Sequence, residues 1–399
     1  MDTVVISAAR TPFGKFGGSL RGIPVIDISS MLIKEVIKRG NIEPGLVDEI
    51  NIGVCTHCEA KDVVSPVIAR QALLKAGLPA ETVSLTIDRA CCSAMTAIQL
   101  GIRGIKAKDI KVAIGGGAEN FSRTPFILRE LRWGKRLGNA ALEDPLFAMG
   151  YKDFNPVSVD AGEVAIEMGI TREMQDEWAY ISQKRYEKAF LEGKFKDEIM
   201  SVEIPQRKGP PIIFDRDEFP KPDTTIEKLS KLPTIYGSPT VTAGNAPGLN
   251  DGGAAVLIMS RDMADSLSLE PLATIVTSVS TATLPRYITT IPAIVIKKAL
   301  EKANLSIDDI DIIEINEAFA AMPLASSLIL ADQDWKKAEK LREKINVNGG
   351  AIAIGHPNGA SGARILMTMI YELRRRGGGY GIAAICGGLA QGDAIVVKV

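Results

Sequence analysis

The sequence is short of cysteine and histidine and has no surplus of charge. Five cysteines (Cys55, Cys58, Cys91, Cys92, Cys386) stand among 399 residues. That number is too small, and odd, for the disulfide framework of a secreted domain, so a reducing cytoplasm is expected. Lys and Arg number 47 against 48 Asp and Glu, a formal net charge of -1. Non-specific nucleic-acid binding needs a strong basic excess and is excluded on that count. No apolar run approaches the roughly 18 residues of a membrane span. The chain opens directly on a strand pattern at its first ten residues, so no leader peptide is expected ahead of the fold. A Walker loop is absent, as is a G-x-G-x-x-G followed by an acid, which disfavours nucleotide hydrolysis and dinucleotide redox chemistry. Cys55-Thr56-His57-Cys58 has the spacing of half a zinc site, but no second pair completes four ligands, and no metal is expected. It lies in the loop after a strand rather than at a helix start, unlike a thioredoxin-type redox pair.

What is present is a globular core, with 46% hydrophobic and 24% charged residues. Strands and helices alternate: a strand at Val4 to Ser7, a helix over Ile28 to Arg39, and strands at Asp48 to Val54, Val83 to Ile87 and Lys111 to Ile114. A helix through Met95, Ile98, Ile102 and Ile105 lies between the last two strands. This is the signature of a layered α/β fold. From residue 121 to 250 the texture turns proline-rich around one charged helix, Glu173 to Gly193. That length is too great for a loop and reads as an inserted subdomain. Val112 to Gly117 and Ala383 to Gly388 are similar strand ends running into glycines, which argues for two like halves with the insertion in the first. The expected division is 1–120 with 251–270, an insertion at 121–250, and 271–399. The charged run Asp334 to Lys344 reads as a solvated helix face, and Arg374-Arg375-Arg376 before Gly377 as a helix C-terminus.

Cys91 is placed where a strand gives way to a helix. A thiol there sees the positive end of the helix dipole, which favours thiolate; most free cysteines are simply small buried hydrophobes, the reading given to Cys92. His356 sits among glycines in Gly355-His356-Pro357-Asn358-Gly359-Ala360-Ser361-Gly362, where backbone can approach a ligand closely, and is a candidate general base. Cys386 ends a buried strand and enters another glycine pair. A Cys and His brought together generate a thiolate nucleophile, and a second Cys can move a proton. Asn316, taken alone, is equally a helix N-cap.

Together these segments resemble the thiolase family along nearly the whole chain. Ser7 to Gly14, Ile87-Asp88-Arg89-Ala90-Cys91-Cys92-Ser93-Ala94, Thr240 to Ala246 with Asn250-Asp251-Gly252, Asn316-Glu317-Ala318-Phe319, Gly355-His356-Pro357 and Cys386-Gly387-Gly388 match its motifs in order. The resemblance implies two βαβαβαββ repeats in a five-layer α/β/α/β/α body with an inserted, CoA-binding loop domain. It implies a homodimer or homotetramer, coenzyme A as substrate rather than as a tightly bound cofactor, and ping-pong acyl transfer. Cys91 would be the nucleophile and His356 its base. Asn316 would hold a water at the enolate, Cys386 would be the second acid–base group, and Gly388 N–H would be an oxyanion donor. Lys221, Ala246, Pro247 and Phe319 would lie along the CoA channel.

The departures point to an altered acyl pocket. Cys92 and Ala94 stand where the family has glycines, as do Leu389 and Ala390; Pro247 replaces a serine, and Arg286 an apolar methionine. Arg286 is therefore expected either on the surface or paired with a substrate carboxylate. The second alternative leads to a bulky acid substrate such as benzoylsuccinyl-CoA, whose thiolases work with a small zinc-ribbon subunit. An ordinary acetyl-CoA C-acetyltransferase, a ketoacyl-synthase-like condensing enzyme and a non-catalytic thiolase-fold subunit are the alternatives. Cys386 and the intact set Cys91, Asn316 and His356 argue against the last two.

Overall fold

The computed structural model describes residues 2–56, 66–147, 151 and 153–399. His57 and Cys58 lie outside the described residues. The long strands are β1 (Thr3–Arg10), β2 (Glu49–Gly53), β3 (Val83–Ile87), β4 (Val112–Asn120), β5 (Asn250–Ser260), β6 (Ala273–Ala282), β7 (Ile312–Ile315), β8 (Tyr380–Gly387) and β9 (Gln391–Lys398). They run in the order β7-β8-β9-β6-β1-β5-β4-β2-β3, and the short strand Gly14–Lys15 pairs with β5. The two halves repeat one pattern: β2 and β4 pair parallel and β4 and β5 antiparallel, as β7 and β8, then β8 and β9, do in the second half. They join along β1 and β6 over a short register, Thr3↔Ile275 to Val5↔Ala273.

The helices used below are α1 (Val25–Gly40), α2 (Ser93–Ala107), α3 (Val157–Glu167), α4 (Arg172–Leu191), α5 (Ile291–Ala303), α6 (Ala321–Leu330) and α7 (Ser361–Arg375). Residues three and four apart on α2 and α7, such as Met95, Ile98, Ile102 and Ile365, Met369, Leu373, meet in a central cluster with Ala113, Val256, Ile385 and Ile395. Strand neighbours of these residues point the other way, as period-2 alternation requires. Ile114 and Leu257 pack on Ile28, Leu32 and Val36 of α1. Ile382, Ala384 and Val396 pack on Val295 and Ile296 of α5. The layers are thus α/β/α/β/α, with α2 and α7 in the middle, and each buried aliphatic side chain contributes about 1.5–3 kcal/mol of apolar burial.

The segment between β4 and β5 leaves at Asn120 and returns at Asn250, where Asp251 is the register partner of Asn120. Inside it, α4 is capped by Thr171, whose side chain accepts from Met174 N. The charged run near residue 335 is a helix over Trp335–Arg342 with Asp334 as its cap. The arginine triplet ends α7, where Arg375 and Arg376 pair with Glu372 and Gly377 follows at φ +90°.

Two local expectations change. The helix after β3 starts at Ser93, with Cys92 as its N-cap, so Cys91 precedes the helix rather than opening it. Asn316 caps nothing, because α6 begins at Ala321.

Candidate active site

Cys91 is delivered by a tight turn after β3. Ala90 sits at φ +54°, a conformation that costs a non-glycine residue about 1–2 kcal/mol. The surroundings fix it: Ala90 N donates to Asp88 Oδ1, Arg89 N donates to Ser93 Oγ, and Ser93 Oγ donates to the Ala90 carbonyl. Arg89 reaches across to the other half of the molecule, binding Asp393 of β9 at 2.8 and 2.9 Å. Cys92 is fully buried and turns its thiol to the Arg89 carbonyl, 3.3 Å away.

His356 comes from the loop between Ile354 and α7. Its Nε2 lies 3.1 Å from Cys91 Sγ. Its backbone N donates to Asn250 Oδ1 at 3.0 Å, which pins the loop to the start of β5. Its Nδ1 lies 2.6 Å from Ser361 Oγ, and that hydroxyl is 3.1 Å from the Pro357 carbonyl. The single hydroxyl proton goes to the carbonyl, so Nδ1 carries the imidazole hydrogen and Nε2 presents its lone pair to Cys91. Burial, and after it the positive charge of Arg364, holds His356 down at about 3. Burial, and after it Cys386, pushes the Cys91 thiol well up. Both shifts favour a neutral thiol beside a neutral imidazole over an ion pair. This corrects the expectation of a helix-stabilised thiolate, because Cys91 stands outside the first helical turn and is desolvated.

Asn316 and Cys386 complete the group. Asn316 follows β7, its N donates to the Ala384 carbonyl, and its Nδ2 lies 3.4 Å from His356 Nε2. Its Oδ1 is buried without a partner among the described residues, an acceptor left open inside the site. The next residue, Glu317, anchors this turn by accepting from Trp178 Nε1, Ser182 Oγ, Asn346 Nδ2 and Ile352 N. Cys386 is buried at the end of β8, 3.4 Å from Met322 Sδ, and burial followed by Cys92 pushes it up to about 12.

Beneath these groups lies Glu119, which the sequence did not single out. Its carboxylate accepts from Cys55 N at 3.1 Å, Thr56 N at 2.9 Å and Gly359 N at 3.0 Å, tying the strand-end loop and the histidine loop to β4. The approach is so close that a Cβ on Gly117 would run into the Gly359 carbonyl oxygen. The signal for Ser361 was in the sequence, a hydroxyl five residues after the histidine. Glu119 had none, because its three partners come from two distant loops.

Gly388 is placed differently from expectation, and Arg286 takes the first of its two expected placements. The Gly388 N–H donates to the Arg89 carbonyl at 3.2 Å, so it is already engaged rather than open to an oxyanion. The Arg286 guanidinium pairs with Glu163 and Glu167 of α3. These carboxylates are its partners, in place of one on a substrate, and the surface alternative describes it. Lys221 lines a cavity of about 220 Å³ with Gln183, Phe219, Thr224, Leu229 and Ala246. Its Nζ stands 5.1 Å from the centre of the Phe219 ring. Ala320 N donates to the Asn245 carbonyl, which joins the Ala246–Pro247 segment to the turn carrying Phe319. A larger cavity of about 570 Å³, between Tyr186, Phe190 and Arg216, is lined by none of the four chemical residues. Among the described residues no cluster of three or more His, Cys, Asp and Glu could hold a metal, and no helix is long and apolar enough to cross a membrane.

Comparison with known proteins agrees with this arrangement. Residues 3–262 match the family model "Thiolase, N-terminal domain" and residues 269–399 match "Thiolase, C-terminal domain". The acetyl-CoA acetyltransferase of Cupriavidus necator is 43% identical over 402 residues, covering 100% of this chain and 99% of the relative. That of Syntrophomonas wolfei is 41% identical over 403 residues, with the same coverage. The crystal structure of human mitochondrial 3-ketoacyl-CoA thiolase superposes with a TM-score of 0.93 at 37% identity, covering 100% of this chain and 98% of that one. With both halves matched end to end, and with Cys91, His356, Asn316 and Cys386 gathered at the seam between them, the chain belongs to the thiolase family and is an acyltransferase.

Proposed function

We propose that the protein carries acyl groups between CoA thiols through an acyl-cysteine at Cys91, cleaving or forming a 3-oxoacyl-CoA. The observation that carries this reading is the 3.1 Å approach of Cys91 Sγ to the lone-pair nitrogen of His356, with a second buried thiol, Cys386, beside it. In the cleaving direction Sγ attacks the 3-keto carbon as its proton passes to Nε2. The C2–C3 bond breaks, and its electrons leave on C2 as the enolate of the departing acyl-CoA. Cys386 gives its proton to C2. The resulting Cys386 thiolate takes the proton of the incoming CoA thiol, whose sulfur attacks the acyl carbonyl. Cys91 leaves and recovers its proton from His356, so protons and electrons balance. The open Oδ1 of Asn316 supports a water held at the enolate oxygen.

A short chain such as acetoacetyl is the acyl group best supported, since relatives over 40% identical are named acetyl-CoA acetyltransferases. The benzoylsuccinyl reading, with its zinc-ribbon subunit, rested on Arg286, whose charge Glu163 and Glu167 already meet. The cavity at Lys221 and Ala246, with Pro247 and Phe319 adjoining, supports a channel for the CoA chain. CoA then enters as substrate, with no metal and no tightly held cofactor. The chain divides as 1–120 with 251–270, the CoA-binding insertion 121–250, and 271–399. The exposed Val83 and Leu85 on edge strand β3 support pairing with a second copy, as a homodimer or within a homotetramer. Four described cysteines, all unpaired, support a reducing cytoplasm. The test is CoA-dependent loss of 3-oxoacyl-CoA absorbance across an acetoacetyl, longer-chain and dicarboxylic panel, with the trapped acyl label mapped by peptide. Label on Cys92 or Cys386 with Cys91 free, or no turnover of any substrate, would sink the reading.

A further inference from the structure

An acyl-cysteine mechanism needs donors for the carbonyl oxygen that turns negative as Cys91 is attacked or leaves, and one expected donor is engaged: Gly388 N–H is bound to the Arg89 carbonyl. A side chain from the insertion stands over the same spot. The Tyr151 Oη lies 2.5 Å from where a Cβ on Gly388 would be, and the Ala90 Cβ lies 3.2 Å from that point, so the phenol is set against the residue just before Cys91. Gly388 has to be glycine for this approach, since any side chain would occupy the hydroxyl's place. Tyr151 is 38% exposed, at the open side of the site, and among the described residues its hydroxyl has no hydrogen-bond partner.

We propose that the Tyr151 hydroxyl is an oxyanion donor, giving its hydrogen bond to the carbonyl oxygen of the acyl group carried on Cys91. The proposal rests on the acyl-cysteine reading above and adds to it a catalytic residue from the insertion. The hydroxyl is suited to donate and not to act as a base: burial, followed by the nearness of Cys91, pushes it up to about 12, so it keeps its proton throughout the neutral range. It also places part of the chemistry in the insertion, so that this segment takes part in the acyl step as well as in the proposed CoA channel.

The test is Tyr151→Phe, which keeps the ring and removes the donor. Loss of one oxyanion donor lowers kcat by roughly 10²–10³-fold. That loss is expected for acetoacetyl-CoA thiolysis, with KM nearly unchanged. Alkylation of Cys91 by iodoacetamide forms no oxyanion, so its rate should match wild type and report an intact site. Wild-type kcat in Tyr151→Phe would overturn the proposal and make the side chain a wall, and so would equal losses of thiolysis and alkylation. Absence of thiolysis in the wild-type enzyme would instead overturn the acyl-cysteine reading, whatever the variant does.

Discussion

Replacing Ser361 by alanine tests the whole polarity of the catalytic pair. In the structure the hydroxyl stands 2.6 Å from His356 Nδ1 and 3.1 Å from the Pro357 carbonyl, in a fully buried position. That arrangement keeps hydrogen on Nδ1 and leaves Nε2 as acceptor for the Cys91 proton. Alanine leaves the Nδ1–H unpaired in a dry site. An unsatisfied buried donor costs about 1–3 kcal/mol, and each 1.36 kcal/mol is tenfold in rate, so kcat/KM should fall by roughly 5- to 150-fold. The imidazole escapes the penalty by moving its hydrogen to Nε2, and in that form it cannot accept from Cys91 at all. Iodoacetamide alkylation of Cys91 should then slow together with thiolysis, while the thermal midpoint moves by only a few degrees. Thiolysis and alkylation both within twofold of wild type would refute the assignment of the tautomer, and with it Ser361 as a positioning residue.

Three more outcomes are expected. Alkylation of Cys91 should accelerate steadily from pH 7 to beyond pH 9: the thiol is raised by burial, and His356, held at about 3, supplies no positive charge to stabilise thiolate near neutrality. A plateau below pH 7 would indicate a resting ion pair instead. Leu389 lies at φ +54°, which costs about 1–2 kcal/mol, so Leu389→Gly should raise stability by up to about 1 kcal/mol after the entropy of the freer unfolded chain is subtracted. A urea midpoint that drops would contradict this. Gly117→Ala should separate β4 from the histidine loop, costing several kcal/mol by the same denaturation assay and most of the thiolysis.

The segments that carry chemistry were legible because each couples an unusual residue to a local backbone demand. Cys91, His356 and Cys386 all sit at strand or helix ends among small residues, and the sequence shows such places directly. The two halves were visible for a similar reason, since β4 and β8 each carry a short aliphatic run that leads into glycine. Arg286 shows where this stops. Its partners Glu163 and Glu167 are 123 and 119 residues away, and nothing near Arg286 in the chain announces them. Gly388 shows a second limit: the sequence marks a position where close backbone approach excludes a Cβ, but which carbonyl takes its N–H depends on how the Arg89 turn folds. The protonation of Cys91 depends on a third quantity, water access, which no local pattern encodes.

The nucleophile and its base lie 265 residues apart in the chain. A ribosome adding about 5–20 residues per second makes His356 some 13–53 s after Cys91. Throughout that interval the growing chain holds a strand-end cysteine without His356 to take its proton. An exposed thiolate at that stage would be open to oxidation and to stray acylation by cellular thioesters. Because the proposed pair is assembled across the seam of two halves, rather than within the turn that carries Cys91, the half-made protein lacks it. Completion of the second half, with Asp393 clasping Arg89, is the event that arms it.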